Sequence, residues 1–300
     1  MANTLKNIGS TETKQNYGPL YACVAKIPVS KSIDPTKKIG DQARAAFMIG
    51  KEWKIGTKIK IAFMKDDFIN NKITLKPLYE KSKADFVQKI ITDKLLPLID
   101  LTFEWDVNIK DSDVRISFVP SLGAFSELGI NCLKISKDEP TMNLGWLDDD
   151  TTYSNPLLKG TGIVILHEFG HLLGMIHEHS REDATLDWNK DFVYKQLGAP
   201  PNSWSTKDCD EQIFEMVKKQ SFNGSKYDKK SVMHYYFPTE YFKTPPNLPT
   251  VIELSELDKL WIKKKYSKKS EKIPLYAKII TFVFIISICT GLYFVFRRRA

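Results

Sequence analysis

The sequence predicts an α+β chain: a two-lobed domain with a mixed sheet and one buried site helix, followed by a C-terminal transmembrane helix. Three observations carry this. Between residues 58 and 119, runs of alternating and helix-periodic hydrophobicity follow in the order strand, helix, strand, strand. Residues 161–177, TGIVILHEFGHLLGMIH, form an apolar stretch holding three of the five histidines. Residues 279–296, IITFVFIISICTGLYFVF, are 18 positions without a charge, which reaches the lower end of the length that spans a bilayer as a helix.

The elements follow in order. Residues 1–35 are polar and read as an extended lead-in. Residues 41–53 read as a helix through Ala43, Ala45, Ala46, Phe47, Met48 and Trp53, interrupted at Gly50. Lys58–Phe63, KIKIAF, alternates with a period of two and predicts a half-buried strand with Ile59 and Ile61 on one face. Residues 83–98 set Phe86, Ile90, Ile91 and Leu95 at helical spacing, with Pro97 marking the end. Residues 101–107 and 113–119 supply the next two strands; in the second, Val114, Ile116 and Phe118 alternate with Arg115 and Ser117. Residues 123–129, GAFSELG, read as a loop and residues 141–146, TMNLGW, as a short strand. The run Asp148, Asp149, Asp150 reads as a solvated turn. Past the site helix, Trp188, Phe192 and Val193 suggest a short packed helix or turn, and residues 208–219 read as a helix. A final helix begins at Ser255, with Asp258 in the capping-box position.

His167 and His171 are four residues apart, which stacks them on one face of a helix. Two imidazoles so placed grip one metal ion. Glu168 sits beside His167, where a carboxylate takes a proton from a metal-bound water. The pattern continues through Gly174 and His177 as H-E-x-x-H-x-x-G-x-x-H. His177 reaches the same ion only if the helix stops and the chain turns, and glycine accepts the positive φ that such a turn needs. Three imidazoles leave one position open, the catalytic pattern and not the closed structural one. The bland alternative is a core helix with incidental histidines. The eleven-residue spacing weighs against it, as does the gathering of every histidine (with His179 and His234) near this region.

These motifs resemble the metzincin zinc peptidases, and among them the astacin family. The continuation from His177 through Glu178, Arg181 and Asp183 is similar to the astacin pattern H-E-x-x-R-x-D. A second segment, Ser231-Val232-Met233-His234-Tyr235 with Tyr227-Asp228 before it, is similar to the astacin turn S-x-M-H-Y. The resemblance implies a metzincin-like two-lobed domain with one catalytic Zn2+ on His167, His171 and His177. It implies Glu168 as general base and Tyr235 as the phenol that steadies the oxyanion. Met233 becomes an apolar base under the histidines, and Arg181 and Asp183 anchor the turn by ion pairs. It also implies a protein or peptide substrate, held extended against a strand edge that residues 141–146 are expected to supply.

The net charge is +8, with much of the excess in residues 263–278 and at Arg297, Arg298 and Arg299. Those flanks bracket the apolar tail, so the basic balance reads as a membrane border and not as a nucleic-acid surface. The expected layout is a lead-in over 1–35, a catalytic domain over 36–262, a juxtamembrane linker over 263–278, a transmembrane helix over 279–296 and a basic tail over 297–300. The four cysteines, Cys23, Cys132, Cys209 and Cys289, form no paired framework. The first residues carry no apolar run, so the reading expects no secretory leader. The orientation reads two ways: Arg297, Arg298 and Arg299 would hold the C-terminus on the cytoplasmic side, whereas the lysine run argues for keeping the body there. The preferred reading is a membrane protein whose body starts in the cytosol, inserted by its tail, and a body on a virion surface or an inside-facing membrane fits equally well. Two other readings stay open: a silent metzincin-fold binding module on a membrane, and a structural zinc protein whose cleft is covered by residues 1–35. Glu168 argues against the first, since a binding module needs no general base.

Overall fold

The computed structural model describes residues 24–26, 47–70, 72–147, 161–199, 203–218, 221–224, 226–235 and 237–268. Strand β1 (Val24–Lys26) is followed by the two-residue β2 (Phe47–Met48). The described part of the expected helix over 41–53 is therefore not helical. Phe47 and Met48 are both buried, and Gly50 turns the chain immediately after them at φ 79°.

Strand β3 (Lys58–Phe63) falls where the alternation placed it, with Ile59 and Ile61 fully buried. A hairpin of β4 (Phe68–Asn70) and β5 (Ile73–Leu75) precedes helix α1 (Lys81–Lys94). Pro97 lies in a 3-10 turn, Leu96–Leu98, which closes the helical run. Strands β6 (Thr102–Trp105) and β7 (Val114–Ser117) pair in parallel on either side of β3. Strand β7 is buried on both faces, including Arg115 and Ser117. Arg115 meets its burial by donating from Nε to the Glu139 carbonyl at 2.7 Å.

Two expectations change at the next elements. Residues 123–129 contain strand β8 (Ala124–Glu127) and are not merely a loop. Strand β9 (Met142–Leu144) is present but lies inside the sheet, parallel to β7 and antiparallel to β8. The sheet order is β1-β8-β9-β7-β3-β6. Asn143 explains the interior place of β9. Its side chain accepts from Ser117 Oγ and the Val119 N–H, and donates to the Val119 carbonyl. The edge strand on this side is β1, which pairs in parallel along β8, Val24 opposite Phe125.

Helix α2 (Ile163–Leu172) packs on this sheet and on α1. One cluster joins Ile59 and Ile61 of β3, Val87 and Ile91 of α1, and Ile165 and Phe169 of α2. Burying each such side chain contributes about 1.5–3 kcal/mol. Below the site, α3 (Lys190–Gly198) and α4 (Thr206–Cys209) form a second cluster with Phe237 and Phe242. The helix expected over 208–219 ends early, passing through a π-turn, Asp210–Phe214. Val217 then leaves it, donating its N–H to the Ser180 carbonyl at 2.7 Å. Strand β10 (Phe222–Asn223) pairs antiparallel with β2.

Helix α5 (Glu256–Tyr266) starts as expected, with the reciprocal Ser255 and Asp258 capping box formed. Its last residue reaches far back. The Tyr266 hydroxyl donates to the Leu173 carbonyl and accepts from the Trp53 N–H. Cys132 and Cys209 are buried free thiols. No helix among the described residues is long and apolar enough to cross a membrane. The apolar run over 279–296 and its flanks lie outside the described residues, as does the acidic turn at 148–150.

Candidate metal centre

Helix α2 carries His167, Glu168 and His171, all buried. It ends at Leu172, and Gly174 takes φ 92°. Only glycine adopts that conformation without a Cβ penalty. The turn is clamped from outside: the Met48 N–H of β2 donates to the Gly174 carbonyl at 2.8 Å. His177 consequently folds back over the helix. Its Nε2 lies 3.0 Å from Nε2 of His171, and one nitrogen from each of the three histidines falls within 4.8 Å of the others.

The remaining ring nitrogens fix the tautomers. His167 donates from Nδ1 to the Val232 carbonyl at 2.7 Å, and His171 from Nδ1 to the Met175 carbonyl at 2.8 Å. A carbonyl only accepts, so each Nε2 is left with a bare lone pair. His167 Nε2 is buried with no hydrogen-bond partner. Burial pushes His167 down to about 4 and holds His171 and His177 well below the ordinary imidazole value. All three are neutral at pH 7, the form that ligates. A tetrahedral zinc with Zn–N near 2.0–2.1 Å sets its ligand nitrogens roughly 3.3 Å apart. The donor set and the converging lone pairs therefore fit one such ion.

The floor is the turn Ser231–Tyr235. Met233 is fully buried under α2. A Cβ on Gly170 would sit 2.4 Å from its Sδ, so this helix position must stay bare for the methionine to approach. Tyr235 brings its ring to 4.4 Å from His177 and 5.6 Å from His167, between centroids. Its carbonyl accepts from His234 Nδ1 at 2.6 Å, and His234 Nε2 accepts from the Tyr227 hydroxyl at 2.7 Å. Burial pushes His234 down to about 4.

Glu178, Arg181 and Asp183 tie the third-histidine turn to this floor. Arg181 donates to Asp183 at 2.8 and 2.9 Å and to Glu178 Oε1 at 3.1 Å. Glu178 Oε2 accepts from the Asp228 N–H at 3.1 Å, and Asp183 Oδ2 from the Tyr227 N–H at 3.3 Å. Burial pushes the Glu178 carboxyl up, against the pull of Arg181.

The three histidines converge on one centre beside the Tyr235 ring, and Glu168 is buried on α2 next to His167. Sequence reasoning missed three parts of this centre. Gly170 was visible inside the motif but attracted no role. The Val232 carbonyl belongs to a backbone that no side-chain pattern reveals. Asp258 reads from the sequence as a helix cap, and in the structure it also accepts from Ser231 Oγ at 2.7 Å and the Val232 N–H at 2.8 Å.

Comparison with known proteins agrees with this geometry. Residues 159–268 match the family model described as Astacin, a peptidase family. A solved structure of myroilysin is similar at 28% identity, covering 75% of this chain and 99% of that one, with a TM-score of 0.60. A crystal structure of myroilysin aligns at 24% identity over 88% of this chain and 100% of that one, TM-score 0.52. High choriolytic enzyme 1, a hatching enzyme zinc-protease from Oryzias latipes (Medaka fish), aligns at 18% identity over 76% of this chain and 100% of that one, TM-score 0.45. A comparison with curated proteins finds no match.

Proposed function

Because this chain is an astacin-like zinc metallopeptidase, we propose that it is an endopeptidase that cuts extended protein segments with Glu168 and Tyr235 as its catalytic groups. The observation that carries the reading is the convergence of three neutral imidazoles beside a buried carboxylate and a phenol ring. Zinc on His167, His171 and His177 supplies Lewis acidity at the scissile carbonyl and lowers the pKa of a water. Glu168 takes the proton of the attacking water and passes it to the leaving amine, so the proton count closes over one turnover. The Tyr235 hydroxyl donates to the carbonyl oxygen as negative charge gathers on it. The substrate backbone lies extended along a strand edge, which selects main chain whatever its side chains are. Strand β8 packs against α2, and its outer edge is the one along which β1 pairs.

The test is cleavage of a mixed peptide library by the full chain beside Glu168→Ala, with the metal content of both measured. Cutting by wild type alone, with equal zinc in both, supports the assignment. If neither cuts while both hold zinc, a form lacking residues 1–35 follows, which removes β1 from the edge of β8. Silence there as well would favour a binding module.

We also propose that residues 279–296 tether the enzyme to a membrane, with the body on the cytosolic side. Support comes from the 18 uncharged positions between Lys278 and Arg297. The full chain is expected to float with liposomes and a form ending at residue 270 to stay behind. Equal behaviour of the two would remove the tether, and protease protection in sealed vesicles reads the side.

A further inference from the structure

Asp258 is 1% exposed, and it lies 91 residues along the chain from His167. A helix cap has no need of such depth. Its Oδ2 closes the cap by accepting from the Ser255 N–H at 3.0 Å, and it also accepts from the Val232 N–H at 2.8 Å. Its Oδ1 takes the Ser231 hydroxyl at 2.7 Å. Ser231 Oγ in turn accepts from the Met233 N–H at 3.1 Å. That N–H shares one peptide plane with the Val232 carbonyl, which accepts from His167 Nδ1 at 2.7 Å.

The donors in this series all point the same way. Imidazole N–H meets carbonyl, the same peptide's N–H meets hydroxyl, and hydroxyl meets carboxylate. Hydrogen bonds in series polarise one another, more so away from water. Ser231 and Met233 are both fully buried. A carboxylate at the far end makes the Val232 carbonyl a stronger acceptor, which raises the basicity of His167 Nε2. Metal-ligating histidines commonly donate to a carboxylate or a carbonyl, and that partner tunes the ligand.

We infer that Asp258 is a positioning residue for the metal centre, acting on His167 through Ser231 and the Val232–Met233 peptide. The capping box of the last helix is then part of the support of the first ligand. The inference rests on His167 serving as a zinc ligand, as proposed above. Ser231→Ala cuts the relay but leaves Asp258 its bonds to the Val232 and Ser255 N–H groups. Asp258→Asn keeps the shape and removes the charge.

The experiment measures zinc dissociation constants by competition with a chromogenic chelator for wild type, Ser231→Ala, Asp258→Asn and Ser112→Ala. It also records the melting midpoint of each apoprotein. Ser112 is a buried serine whose hydroxyl donates to the Ile109 carbonyl, so it reports the loss of a hydroxyl remote from the centre. The two relay variants are expected to bind zinc about 10–100-fold more weakly, and Ser112→Ala to bind as wild type does. Wild-type affinity in Ser231→Ala and Asp258→Asn, whatever their melting midpoints, would overturn the relay. If one variant fails to fold, the other decides. A wild-type chain that binds no zinc would instead overturn the reading of the centre itself.

Discussion

Replacing Arg181 with methionine removes a buried cation while keeping a long stem against the Phe222 ring, over which the guanidinium now sits at 5.2 Å. Three charge-assisted bonds go with it. They are not equal in consequence. The Asp183 side chain is 41% exposed and regains water, whereas Glu178 is 2% exposed and does not. Breaking a buried pair by deleting one partner costs about 3–5 kcal/mol. Glu178 has one escape, which is to take up a proton. Its carboxyl is already pushed up by burial and is held back by Arg181. Without that cation the folded state binds a proton that the unfolded state releases above about pH 4.3. Stability therefore falls as pH rises, by up to about 1.4 kcal/mol per pH unit.

With Arg181 present the Glu178 carboxyl is already pushed up to about 8, so wild type shares this slope below that pH. The deficit of Arg181→Met, up to about 3–5 kcal/mol or roughly 6–20 °C in melting midpoint, widens as pH rises beyond about 8. Urea unfolding of the apoprotein at several pH values reads it directly. Adding Glu178→Gln should flatten the pH slope and recover part of the loss, because no buried carboxylate is left to orphan. A deficit under about 1 kcal/mol, or one that does not widen above about pH 8, would show that this pair does not hold the turn.

Three further outcomes follow from the centre. Tyr235→Phe should lower kcat by about 10²-fold at nearly unchanged KM and full zinc content, as expected for a donor used only when charge develops; a KM effect alone would assign the phenol to substrate binding. Gly174→Ala forces a Cβ into φ 92°, which should cost about 1–3 kcal/mol and weaken zinc binding through His177; wild-type zinc affinity in that variant would show that the turn tolerates a side chain. The apoprotein should lose stability as pH falls from about 6.5 to 4. His167 and His234 are both held down to about 4 by burial, so over that window the unfolded state binds the extra protons, at up to ~3 kcal/mol for each imidazole. His234→Gln should flatten part of that slope in a melting series, and an unchanged slope would remove His234 from the account.

The site was more legible in the sequence than the fold around it. Ligand spacing on a helix follows from the helical repeat of about 3.6 residues per turn, so His167, His171 and the need for a break at Gly174 could be read directly. β3 and α5 were equally plain, one from alternation and the other from its cap. The misreadings share a cause. β2, β8 and β9 are only two to four residues long, too short for any period to declare itself. Their identity comes from partners distant in the chain, as when Asn143 seats β9 beside β7. The helix expected over 208–219 had the right pattern, but Val217 is drawn off to pair with Ser180. Asp258 carried a correct local signal that concealed a second, long-range one.

The hydroxyl of Tyr266 joins the end of the last described helix to Leu173 and Trp53. This sets an order on biosynthesis. A ribosome delivers the segment with His167, His171 and His177 well before it delivers residue 266, so the ligand-bearing turn emerges without the backbone partner that closes it. A nascent chain, or one truncated ahead of Tyr266, carries the complete zinc motif without the anchor that completes its seat.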